Sequence, residues 1–299
     1  MDQQQQIAMV QQMRQHSSGG NQSLQPSSTY DVTVNEQYIT TSAGETRILI
    51  YQPNRKQEQA SALPVFFNMH GGGFVLGQAD GDDSWCRLIA DRAGCLVVNI
   101  DYKLAPEHKF PTAVHECYDV VKWVHTHAGQ FSANADLFAV GGHSAGGNLA
   151  AAVCLLNRDR GDQLPIRLQI IDYAVLDLAS DPAEKPDFPE AIPAEVARTF
   201  NAMYLNQPED ARNPLASPIL AETFSGLPEA LIITAGRDSL AQEARTYAAK
   251  LEASGVKVTH KEYEGAAHGF THQGDIQIAE DAWYLMSDKL KDAFSRAGI

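Results

Sequence analysis

Ser144 lies between glycines in Gly142-His143-Ser144-Ala145-Gly146, directly after the apolar run Leu137 to Val140 and before an Ala-rich stretch. A serine on a sharp strand-to-helix turn exposes its hydroxyl, and flanking glycines let strand and helix approach closely. That is the context a nucleophile requires. A second group, His70-Gly71-Gly72-Gly73-Phe74, ends an earlier apolar run. Three glycines cost backbone entropy on folding and add nothing to packing, but they let bare N–H groups converge on a developing oxyanion. The N–H groups of this loop and that of Ala145, at a helix N-terminus, are the expected donors. Phosphate binding is the rival reading. The spacing fits neither a dinucleotide nor a P-loop fingerprint, since Leu76 occupies the third glycine position of the former.

A serine nucleophile needs a base, and the base needs an orienting carboxylate. Ten histidines are present, so position must choose among them. His268 follows the run Val256 to Tyr263 in a loop with Gly265 and Gly269, and Asp238 follows Ala230 to Thr234 as Ala235-Gly236-Arg237-Asp238. The order Ser144, Asp238, His268 is one that α/β hydrolases use. Asp177, just past the run Leu168 to Ala174, competes as the acid, although its position at the head of a Pro-rich stretch suits a turn. The other histidines have plainer readings. His143 sits inside the elbow, with its side chain directed away from the serine hydroxyl, and suits an accessory role. His125 with His127, and His115 with Cys117, stand two apart on helices and share no face, which excludes them as metal pairs. His260 alternates out of a strand, and His272 lies beyond the loop.

The elements that must position these groups alternate in type. Short runs rich in Val, Ile and Phe, namely 63–69, 95–100, 137–140, 168–174, 230–234 and 256–263, alternate with helical periods at 83–93, 113–127, 145–158, 241–254 and 276–297. Alternation of this kind predicts βαβ units and a mostly parallel sheet with helices on both faces, with ligands at the C-terminal strand ends. A hairpin over Val32 to Tyr51 precedes them. Asp181 to Pro218, with seven prolines around a helical candidate at Glu195 to Leu205, reads as an insertion over the sheet, and such excursions often form lids. Residues 5–13 carry apolar positions at helical spacing, and the Ser17 to Ser28 stretch reads as a mobile linker.

Composition narrows the function classes. Lys and Arg total 23 against 37 Asp and Glu, a formal net charge of −14, which disfavours nucleic acid and anionic membrane surfaces as partners. The longest apolar run, Leu149 to Leu156, is far shorter than the roughly 18 residues of a spanning helix. The first residues carry no secretory pattern, and Cys86, Cys95, Cys117 and Cys154 form no Cys-x-x-Cys pair, so reduced thiols in the cytoplasm are expected.

From Leu63 onward the chain resembles the hormone-sensitive-lipase-like branch of the α/β hydrolases, which includes bacterial acetyl esterases. The resemblance is carried by 70–74, by Asp101 to Pro111 (Asp-Tyr-Lys-Leu-Ala-Pro-Glu-His-Lys-Phe-Pro), by 142–147, by Asn213 to Pro218, by Asp238-Ser239-Leu240 and by His268-Gly269-Phe270. It implies Ser144 as nucleophile, His268 as base and Asp238 as orienting acid, with Gly72, Gly73 and Ala145 as oxyanion donors. It also implies a small helical cap. The expected division is 1–44 as N-terminal cap segment, linker and first strand, 45–178 and 213–299 as the two parts of the core, and 179–212 as the cap insertion. The sequence departs from the family pattern at His143, where Asp is frequent, at Lys103, where Arg is usual, and at Gln242, a frequent acidic position. None of these touches the three catalytic candidates. The expected activity is cleavage of short-acyl carboxylic esters through an acyl-enzyme, with no cofactor, no metal, no nucleic-acid or membrane partner, and a homodimer as one possible assembly. An amidase or acyltransferase with the same residues, or a non-catalytic small-ligand receptor on the same fold, are the alternatives.

Overall fold

The computed structural model describes residues 3–17, 24–54, 62–162 and 164–296. Among them the apolar runs form one eight-stranded sheet. Its strands are β1 (Val32–Thr41), β2 (Gly44–Pro53), β3 (Leu63–Met69), β4 (Leu96–Asp101), β5 (Ala133–His143), β6 (Ile166–Asp172), β7 (Glu229–Arg237) and β8 (Val258–Ala267). Their spatial order is β1-β2-β4-β3-β5-β6-β7-β8. β2 is antiparallel to both neighbours, and every pairing from β4 across to β8 is parallel. The central parallel strands β3 to β7 are buried on both faces over most of their length, which is why they read as apolar runs, whereas β8 at the edge is partly exposed.

The helices are α1 (Gln3–Ser17), α2 (Asp83–Ile89), α3 (Thr112–Thr126), α4 (Ala145–Arg160), α5 (Ala194–Tyr204), α6 (Ala241–Ala253), α7 (Phe270–Gln273) and α8 (Ile276–Ser295). α3, α4 and α6 pack in the core on one face of the sheet, and α2 and α8 in the core on the other. α4 is buried continuously from Ala145 to Leu156, and its Gly and Ala content allows close approach to β5 and β6. α8 shows the pattern of a half-buried helix, with Ala279, Ala282, Trp283, Met286, Leu290, Ala293 and Phe294 on its inner side. Burial of each large member contributes roughly 1.5–3 kcal/mol.

The structure differs from the sequence reading in two places. The helical period over 83–93 divides, because α2 ends at Ile89 and Ala90–Gly94 continues as a wider π turn. Gly94 has a φ of 65° and Cys95 is extended, so the wider turn delivers the chain into β4. The Ser17 to Ser28 linker includes residues 18–23, which lie outside the described residues. The part beyond them is held in place. Leu24 N–H donates to His272 O at 3.0 Å, and Gln25 accepts from Ser84 Oγ at 2.8 Å.

α1 finds the partner its apolar stripe requires. It packs on α5, the helix of the Pro-rich insertion, with Val10 buried and Ile7 and Met13 against the same core. An isolated helix of this length is marginal in water, so this packing stabilises it.

Candidate active site

Strand register brings the chemistry-bearing residues together. Arg237 on β7 pairs with Ala267 on β8, so Asp238 and His268 emerge side by side, each one residue past its strand. Met69 pairs with Gly142, which sets the loop after β3 against the turn after β5. At that turn a Cβ on Gly142 would lie 2.2 Å from Met69 O, and one on Gly146 would lie 1.8 Å from the same atom. Only glycine allows the elbow to close onto the end of β3. Ser144 has φ 54° and ψ −118°, a strained conformation that costs on the order of 1–3 kcal/mol and is held by the Ser144 N–H bond to Asp172 O at 2.9 Å.

His268 Nδ1 lies 2.7 Å from Asp238 Oδ2, and His268 Nε2 lies 3.0 Å from Ser144 Oγ. An ionised carboxylate only accepts, so Nδ1 carries the imidazole proton and Nε2 is left to accept the serine hydroxyl. Asp238 is almost fully buried, and its Oδ1 accepts from Leu240 N–H at 3.1 Å, which fixes the carboxylate at the start of α6. Asp177 is engaged elsewhere. It accepts from the N–H groups of Ala179 and Ser180 and from Ser180 Oγ, so it organises the turn that opens the insertion.

The loop after β3 holds Gly72 at φ 116° and Gly73 at φ 60°, conformations that favour glycine. No hydrogen bond within the described residues uses the N–H of Gly72 or of Gly73. The loop is braced from the segment after β4. Tyr102 Oη donates to His70 O at 2.8 Å, the two rings stack with centroids 4.2 Å apart, and Ala105 N–H donates to Phe74 O at 2.9 Å. Lys103, where the family pattern usually has Arg, donates to Glu45 O at 2.6 Å and stands 3.7 Å from Glu116. Above the loop, Phe200 of α5 lies against Gly73, where a Cβ would meet its ring at 2.2 Å.

A buried polar group behind the elbow has no counterpart in the sequence reading. Ligand atoms of Asp82, His143 and His272 lie within 4.8 Å of one another, the one such grouping that could hold a metal among the described residues. His272 does not simply lie beyond the loop. Its ring stacks on that of His143, and its Nδ1 lies 2.9 Å from Tyr173 Oη. Burial holds His143 well below the ordinary imidazole range. Burial alone would raise the Asp82 carboxyl, but the facing imidazoles of His143 and His272 hold it below the usual range. The nearby Asp172 carboxyl is pushed well above that range by burial. His260 is exposed at the strand edge and meets Thr234 Oγ1. Cys86, Cys95, Cys117 and Cys154 are all buried.

Sheet order, elbow and strand-end loops define an α/β hydrolase, and residues 66–272 match the model of the α/β hydrolase fold family; the chain belongs to it. An arylesterase of Saccharolobus solfataricus is 33% identical over 251 residues, covering 84% of this chain and 80% of its own. An ethyl acetate hydrolase of Pseudomonas putida is 30% identical over 251 residues, covering 83% of this chain and 79% of its own. Among solved structures, the thermophilic carboxylesterase EstE1 from a metagenomic library superimposes with a TM-score of 0.84 at 32% identity, covering 98% of this chain and 97% of that one.

Proposed function

We propose that this protein is a serine esterase that cleaves small carboxylic esters through an acyl-enzyme. The observation that carries this reading is the unbroken chain from Asp238 Oδ2 through His268 to Ser144 Oγ, with a glycine-rich loop beside the serine. His268 Nε2 takes the Ser144 proton as Oγ attacks the ester carbonyl carbon. The carbonyl π electrons move to oxygen, and the N–H groups of Gly72, Gly73 and Ala145 receive the charge. On collapse His268 gives its proton to the leaving alcohol. Water, deprotonated by the same nitrogen, then attacks the acyl carbon and releases the acid with Ser144 restored. Asp238 keeps the imidazole in one tautomer and stabilises its cationic form.

The acyl group is short in this reading. α1 and the insertion 179–212 act as a cap, and Phe200 occupies the space over Gly73 where a longer acyl chain would extend. The activity named for the Pseudomonas putida relative, hydrolysis of ethyl acetate, supports it. No helix among the described residues is long and apolar enough to cross a membrane. Turnover of 4-nitrophenyl esters from acetyl to palmitoyl, beside the matching anilides, tests the proposal. The expected maximum lies at about two to six acyl carbons with anilides far slower. A maximum at palmitoyl, or faster anilide than ester cleavage, would reject it.

A further inference from the structure

We propose that His143, oriented by Asp82, is a positioning residue that fixes the oxyanion loop through the Gly71 N–H. The inference rests on the esterase reading and adds a residue to it. Gly71 N–H donates to His143 Nε2 at 2.9 Å, and a Cβ at Gly71 would lie 2.6 Å from His143 Cδ2, so the ring lies flush against the loop. The Gly71 carbonyl is held as well, with His70 Nδ1 2.7 Å away. Both polar groups of the residue directly before the two donor glycines are therefore clamped.

Tautomer chemistry assigns the role of Asp82. A ring nitrogen that accepts a backbone N–H carries no proton, so the neutral His143 ring must carry its proton on Nδ1. That atom faces Asp82 Oδ2 at 3.8 Å, too far for a hydrogen bond but close enough for a buried carboxylate to favour the proton there. Asp82 is itself anchored by Asn68 Nδ2 at 2.7 Å and faces His272 Nε2 at 3.3 Å. A divalent cation shared by Asp82, His143 and His272 would require the opposite tautomer. Its Nε2–H would point at the Gly71 N–H, donor against donor, and the loop would lose its clamp.

Two replacements separate the two ends of the ring. Gln at 143 places an acceptor near the Nε2 position, within reach of Gly71, whereas Asn reaches only the Nδ1 position. His143→Ala and His143→Asn are expected to lower kcat about tenfold with KM within about twofold, since the donors they disturb are displaced and not removed. His143→Gln is expected to restore most of that loss. A trifluoromethyl ketone, whose hydrated or serine-bound oxygen mimics the oxyanion, should weaken by the same factor as kcat/KM. Asp82→Asn, which leaves ring and loop in place, should lower kcat in the same direction. Equal damage from Gln and Asn, unchanged kcat in His143→Ala, or full ketone affinity despite reduced kcat would overturn the proposal. Fluorophosphonate labelling that is lost in Ser144→Ala tests the esterase reading separately, so failure of either is distinguishable.

Discussion

Lys185 Nζ, in the Pro-rich segment, lies 2.6 Å from Glu243 Oε2, five residues past Asp238, with Glu243 buried and Lys185 partly so. Glu243 Oε1 also accepts from Leu176 N–H at 2.6 Å. One carboxylate thus joins the start of the insertion to the helix that follows the proposed catalytic acid. Burial pushes Glu243 up to about 7, against an ordinary value of 4.5, although Lys185 opposes this. A carboxyl raised on folding binds its proton more tightly in the folded state than in the unfolded one. Its effect on stability is therefore least unfavourable below about 4.5 and grows unfavourable as pH rises to about 7. Melting temperatures of wild type and Glu243→Gln across that window should converge or cross, with the variant losing the wild-type slope. Parallel curves would contradict the assignment.

Replacing the proposed nucleophile or the proposed base is expected to remove the chemistry and little of the packing. Ser144→Ala and His268→Ala should each reduce ester turnover by at least about 10⁴-fold, with melting temperature little changed. A tenth of wild-type activity in purified Ser144→Ala would move the nucleophile elsewhere.

The two candidate acids separate in side-by-side kinetics. Asp238→Asn should lower kcat by roughly 10³ to 10⁴ with nearly unchanged KM, since the imidazole loses its orienting partner. Asp177→Asn should cost less than about tenfold, because its oxygens serve the turn at 179–180. A reversed order of damage would reassign the acid.

Phe200 and Arg14 test the proposed cap. Phe200→Ala should move the acyl optimum toward longer chains, read from the ester series. Arg14 on α1 donates to Val75 O at 2.7 Å and Ala105 O at 2.6 Å and pairs with Glu107, reaching both the oxyanion loop and its brace. Arg14→Ala should shift KM or acyl preference severalfold while melting changes by only about a degree or two. Unchanged kinetics for every ester would separate α1 from access to the site.

The residues proposed for catalysis were legible because each stands just past a strand candidate. Ser144 follows Leu137 to Val140, Asp238 follows Ala230 to Thr234, and His268 follows Val256 to Tyr263, and a parallel sheet gathers such strand ends at one edge. The glycines at 72 and 73 were legible for the same reason. The group behind the elbow was not. Asp82 sits beside Asp80 and Asp83 in a run that no local pattern distinguishes, and the short 3₁₀ turn at Ala79–Asp82 turns it inward. His272 reads as lying beyond the loop that carries His268, and the single turn of α7 stacks its ring on that of His143. Its spacing of four from His268 was the available signal. The reach of Arg14 depends on where α1 docks, which no local pattern encodes.

Ser144 and His268 are 124 residues apart, and the sheet strand that carries the histidine lies at the edge, paired only through β7. The two groups proposed for proton transfer are therefore carried on separate parts of the sheet, and only the β7–β8 pairing fixes one against the other. A chain cut before β8 keeps the elbow and Ser144 but lacks the imidazole, so on the proposed mechanism it is expected to leave esters intact.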